Sequence, residues 1–159
     1  MTAMSIVLLA TDGSDLATAA MARGVELVGK DNDYLALSVV PPAFMPTPAG
    51  TPNDTQGSVL DVERELELER EGSTESAAEL RELAELLGVD LRSRVEVGEP
   101  GDVICDVAAE IHADLIIVGS HGLGWFKRVV IGSVSTHVLH HAPCPVLVVR
   151  LAEVGDREA

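Results

Sequence analysis

The chain has 159 residues, 26 acidic against 11 basic, a formal net charge of −15 and two cysteines. Such a charge repels phosphate backbones and anionic lipid, so nucleic acid and membrane surfaces are excluded as natural partners. No apolar run approaches the ~18 residues of a membrane span, and the first one lacks a basic leader, so a cytoplasmic location is expected.

Hydrophobic residues make up 47% and aromatics only 3%, so Val, Leu, Ile and Ala must fill the core, as they do where helices pack on a parallel sheet. Residues 5–10 form a continuous apolar run that ends in Thr11, Asp12, Gly13 and Ser14, a turn with helix-capping side chains. This is the first strand. Leu16, Ala20, Val25 and Val28 then keep helical spacing up to Gly29, with Ser14 or Asp15 as cap. Residues 34–40 make a second strand, stopped by Pro41 and Pro42. Residues 41–57 hold five of the eight prolines and are expected to form a long flexible loop.

Residues 59–87 read as the longest helix, with Ala77, Leu80, Ala84 and Leu87 on one stripe, a solvated acidic first half, and a possible break at Gly72. A third strand, 91–97, alternates apolar and charged residues, as an edge strand does. Pro100 opens a third helix, striped by Val103, Ile104, Val107 and Ile111 and ending near His112. Residues 115–119 are a fourth strand, 133–141 a fourth helix and 146–149 a fifth strand. Strands alternating with helices give a doubly wound parallel sheet in one domain, residues 1–151, followed by an acidic tail, 152–159. Cys105 and Cys144 lack metal-ligand or C-x-x-C spacing and are expected to be reduced, buried thiols. His112, His137, His140 and His141 read as helix-end residues with solvent or capping roles.

The most specific feature follows the fourth strand: Gly119-x-x-Gly122, nine residues, then Gly132-Ser133-Val134-Ser135 at a helix start. Glycines without Cβ atoms beside the unpaired N–H groups of a helix N-terminus make a cradle for phosphate. His121 lies inside this motif, within reach of a ribose or phosphate, and Lys127 and Arg128 can screen phosphate charge or point to solvent. Asp12 taken alone reads first as a capping carboxylate. There is no Walker loop, kinase loop set or Ser-His-Asp constellation, so no catalytic residue is assigned.

The motif resembles that of the universal stress proteins, in their ATP-binding branch. The likeness extends to the strand running into T-D-G-S at Thr11, G-E-P at Gly98, A-D-L-I-I-V-G-S-H-G from Ala113 and H-A-P-C-P-V-L-V-V from His141. It implies a five-stranded parallel sheet in the order 3-2-1-4-5 with helices on both faces, of the adenine nucleotide alpha hydrolase-like type. It also implies Asp12 and Val39 beside adenine and ribose, Gly119 by the ribose, and Gly122, Gly132, Ser133, Val134 and Ser135 by the phosphates, with Ala10 and Thr11 lining the pocket. ATP with Mg²⁺ is the implied ligand, with no metal site on the chain itself. Two positions depart from the family pattern: Ala10, where proline is frequent, and Ser38, where histidine is.

The expected function is a nucleotide-responsive regulatory protein of stress tolerance, acting through ligand-dependent conformation and a protein partner. The alternative is a slow ATPase or phosphotransfer enzyme that orients water with Asp12 or His121. A scaffold that has abandoned nucleotide fits less well, because every motif glycine is present. The apolar strand 146–149 lies at the sheet edge in this order, and both its composition and the resemblance imply a homodimer through it.

Overall fold

A computed structural model describes residues 4–42, 59–120 and 131–151, with the backbone alone for 59–61. The elements run β1 (Ile6–Thr11), α1 (Asp15–Val28), β2 (Asp33–Val40), α2 (Val59–Leu87), β3 (Leu91–Val97), α3 (Pro100–Glu110), β4 (Leu115–Gly119), α4 (Ser133–His141) and β5 (Val146–Val149). All strand pairs are parallel, and the sheet order is β3-β2-β1-β4-β5. Both features match the expected fold class. Most of the loop 41–57, His121, Gly122, Lys127, Arg128 and the tail 152–159 lie outside the described residues.

Successive side chains of a strand point to opposite faces, and the two cores divide on that period. Val7 and Leu9 of β1, Tyr34 and Ala36 of β2 and Ile117 of β4 pack with Met21 and Val25 of α1 and Leu80, Leu83 and Leu87 of α2. Leu8 and Ala10, Leu35 and Leu37, and Ile116 and Val118 face the other way, onto Ile104, Val107 and Ala108 of α3 and Val138 of α4. Helices therefore cover both faces of the sheet.

Helix α1 starts where Ser14 Oγ accepts from the Ala17 amide at 3.1 Å. Its buried stripe is Ala17, Ala20, Met21, Gly24 and Val25, so Leu16, placed inward by spacing, is in fact exposed: the helix is rotated to bring small residues against β4. Gly72 does not break α2, which runs unbroken over 29 residues. A Cβ at Gly72 would lie 3.2 Å from Val40 Cγ1, so close passage of the helix over the end of β2 accounts for the glycine. Before that point Val62, Leu66 and Leu68 are about half exposed (53%, 50% and 53%).

Cys105 and Cys144 are free and half-buried, and burial is the leading cause that pushes both thiols up. His137 is not a loose helix end: its Nε2 stands 2.9 Å from Asp102 Oδ1 of α3. Among the described residues, no helix is long and apolar enough to cross a membrane.

Candidate functional site

The strand order puts β1 beside β4, and the helices that follow them leave toward opposite faces; in such sheets the crevice lies outside the carboxyl ends at that point. A cavity of about 370 Å³ occupies it. Its floor is one row across three strands: Ala10 is in register with Leu37 on one side and Val118 on the other. All three point to the α3/α4 face. The smallest side chain, Ala10, stands in the middle of the row.

Nine predicted site residues line this cavity: Ala10, Thr11, Asp12, Val39, Gly119, Gly132, Ser133, Val134 and Ser135. The structure thus brings together the end of β1, the end of β4 and the start of α4. Five lining residues were not singled out from the sequence: Ala17, Leu37, Pro100, Ile104 and Val118. Val118 could have been found, since it is the inward residue nearest the carboxyl end of β4, and Leu37 since it lies two residues before Val39 on the same face of β2. Pro100 sits in the G-E-P segment at the start of α3, whose signal was noted without a role. Ala17 and Ile104 carry no separate signal, because their periodicity is that of any core helix residue.

At the α4 end the donors are well defined. Gly132 is the N-cap, with φ −59° and ψ 159° and no side-chain cap hydrogen bond. The first intrahelical bond runs from Thr136 N to Gly132 O at 2.9 Å. The amides of Ser133, Val134 and Ser135 precede it and so have no acceptor within the helix. Two bonds fix this turn against the end of β4: Gly132 N donates to Ser120 O at 2.9 Å, and Ser135 Oγ donates to Gly119 O at 2.6 Å. The Ser135 hydroxyl is thereby committed to holding the two motif halves together, and its amide is the group left for a ligand.

At the β1 end, Asp12 Oδ1 accepts from Ser14 N at 3.1 Å and from Ser14 Oγ at 2.7 Å. Thr11 Oγ1 accepts from Gly13 N at 3.1 Å. These bonds make a tight turn in which Gly13 has φ 76°, the left-handed region that favours glycine. A side chain at Gly13 would also collide with the Glu79 carboxylate, which α2 lays over this turn. Burial first, then the carboxylates of Glu75, Asp12 and Glu82, push the Glu79 carboxyl up. The site thus has an acidic flank beside Asp12 and a positive helix end opposite it.

The described residues offer few groups to a metal ion. Among the described residues, Asp12 is the one carboxylate lining the cavity, and no group of three His, Cys, Asp or Glu is able to hold a metal ion.

Comparison with known proteins agrees with the geometry. The model of the Universal stress protein family matches residues 4–150. A putative universal stress protein of Staphylococcus aureus (strain USA300) is 46% identical over 76 residues, 46% of this chain and 46% of that protein. The matched segments span less than half the length of the curated relatives. Among solved structures, universal stress protein UspA from Lactobacillus plantarum is 28% identical, with a TM-score of 0.76 over 94% of this chain and 100% of that one. A universal stress protein solved in complex with cAMP is 25% identical, with a TM-score of 0.64 over 94% of this chain and 98% of that one.

Proposed function

This chain belongs to the universal stress protein family, and from that premise we propose that it binds ATP, with Mg²⁺ carried on the phosphates, and acts as a cytoplasmic stress-tolerance regulator whose ligand-bound form engages a protein partner. One observation carries the reading: an apolar hollow of about 370 Å³ has Asp12 on one flank and three amides without helical acceptors on the other. The Leu37–Ala10–Val118 row suits a flat, apolar base, and the α4 amides suit phosphate oxygens. The relative solved with cAMP supports an adenine nucleotide as the ligand class. Asp12 has Oδ1 occupied by both Ser14 donors, which favours holding a ligand over activating water.

Titration of the purified chain with ATP in magnesium tests this. Gly132→Val adds a branched side chain at the N-cap between the two motif halves and is expected to weaken ATP by about tenfold or more, ~1.4 kcal/mol. Equal affinity in the variant and the parent overturns the reading.

The same proposal includes a homodimer through β5. Pro145 O accepts from Ile116 N of β4 and Val149 O from Ser120 N just beyond it, so the alternate residues Val146 and Val148 turn their backbone groups to the free edge. Val148→Pro removes an edge-facing donor without touching the ladder to β4. Sedimentation is expected to show a folded monomer in place of a dimer; an unchanged dimer counts against pairing at this edge.

A further inference from the structure

The two short helices whose first turns bound the cavity are tied to each other by one side chain. His137, one turn beyond Ser133 in α4, places Nε2 2.9 Å from Asp102 Oδ1 in the first turn of α3. Its ring lies against the backbone of Gly101: a Cβ there would stand 2.6 Å from His137 Cδ2 and 2.7 Å from Cγ. The ring also stacks on His141, with centroids 4.3 Å apart and planes inclined by 25°, and His141 Nδ1 lies 2.9 Å from His137 O. Among the described residues, this is the one side-chain polar contact between α3 and α4.

Its position gives it leverage on the cavity. Pro100, directly before Gly101, lines the cavity from α3, and Ser133, Val134 and Ser135 line it from α4. The separation of those two helix starts is the width of the pocket at its amide end. A ring inserted between the α4 turn and a glycine of α3 sets that separation, and the Asp102 contact holds the ring in place.

Building on the nucleotide reading above, we infer that His137 is a positioning residue: braced by Asp102 and Gly101, it sets the stance of the Ser133–Ser135 amides toward phosphate without touching the ligand. Donors at a helix end are effective only when they converge on one anion, so a small change in the tilt of α4 is felt in phosphate binding. The apolar floor belongs to the sheet and does not depend on this contact. The clamp therefore acts on the phosphates and leaves the nucleoside alone.

Four variants of the full chain test it, each titrated with ATP and with adenosine, which has no phosphate. His137→Ala is expected to weaken ATP about fivefold and to leave adenosine unchanged. His137→Gln, which keeps a donor for Asp102, restores most of the loss. Gly101→Ala weakens ATP while His137 is present but adds nothing in Gly101→Ala/His137→Ala, because its methyl occupies room the ring has left. Equal losses for ATP and adenosine, or additive losses in the double variant, overturn the inference. If the parent binds neither ligand, the nucleotide reading fails on its own. The clamp is then judged from backbone amide shifts of Ser133, Val134 and Ser135 in the ligand-free chains, the ring being lost from both variants: it stands if His137→Ala moves them further than His137→Gln does, and falls otherwise.

Discussion

The two faces of the sheet use their strand ends in opposite ways. On one face α2 runs past the end of β2 at Val40, and Leu80, Leu83 and Leu87 pack with Tyr34, Ala36 and Leu9. On the other, α3 and α4 are short, 11 and 9 residues, and their first turns stop at the rim of the cavity. A long helix laid across strand ends offers side chains and seals a core. Two helices that start at the strand ends offer free amides and leave room between them. The same strands, with the same alternation, thus carry the packed core under α2 on one side and the cavity between α3 and α4 on the other.

This contrast can be broken from the sealed side first. Leu80 is fully buried against that core, and Leu80→Ala is expected to cost about 2–5 kcal/mol. Urea denaturation reads the loss, and nucleotide affinity of the folded fraction should stay near that of the parent. A similar fall in affinity would mean the faces are not independent.

The hollow face is sharpened by filling it. Ala10→Ile puts a β-branched side chain into the middle of the Leu37–Ala10–Val118 row. Adenosine affinity should drop about tenfold or more, ~1.4 kcal/mol, while stability changes by less than about 1 kcal/mol because the new side chain enters existing space. Calorimetric titration and thermal melting measure the two effects. Retained adenosine binding would place the base elsewhere.

The smallest effect concerns the acidic flank between the faces. The Glu79 carboxyl is pushed above its ordinary 4.5 by burial and by Glu75, Asp12 and Glu82, so its folded form holds a proton more readily than its unfolded form. The stability this favours is present at acid pH and is lost as pH rises from the unfolded value through the raised one. Glu79→Gln should therefore stabilise the chain at pH 7 by under about 0.5 kcal/mol, since the group is partly solvated, and the gain should vanish below pH ~4. Melting curves across that range check the sign; a stabilisation that grows in acid would contradict it.

Much of the architecture was legible in the residues. Apolar runs of strand length, the Ser14 cap, Pro100 and the turn glycines place nearly every element within one or two residues of its observed bounds. Two readings differ from the structure for one reason: spacing turns Leu16 inward and propensity makes Gly72 a possible break because both are local, while close packing against β4 and Val40 decides the outcome. His137 went the same way, a helix-end residue by position and an interhelix contact by packing.

By itself the sequence determined the alternation of strands and helices, and it marked the Thr11–Ser14 turn and the Gly132 start of α4. Those depend on backbone preferences and on spacings within one segment. Only the tertiary structure decided that Leu37, Ala10 and Val118 form one floor, that α2 brings Glu79 onto the Gly13 turn, and that α3 and α4 meet through His137. Each of these joins residues far apart in the chain, and their meeting is set by strand register and helix tilt, which arise only when all the layers pack at once.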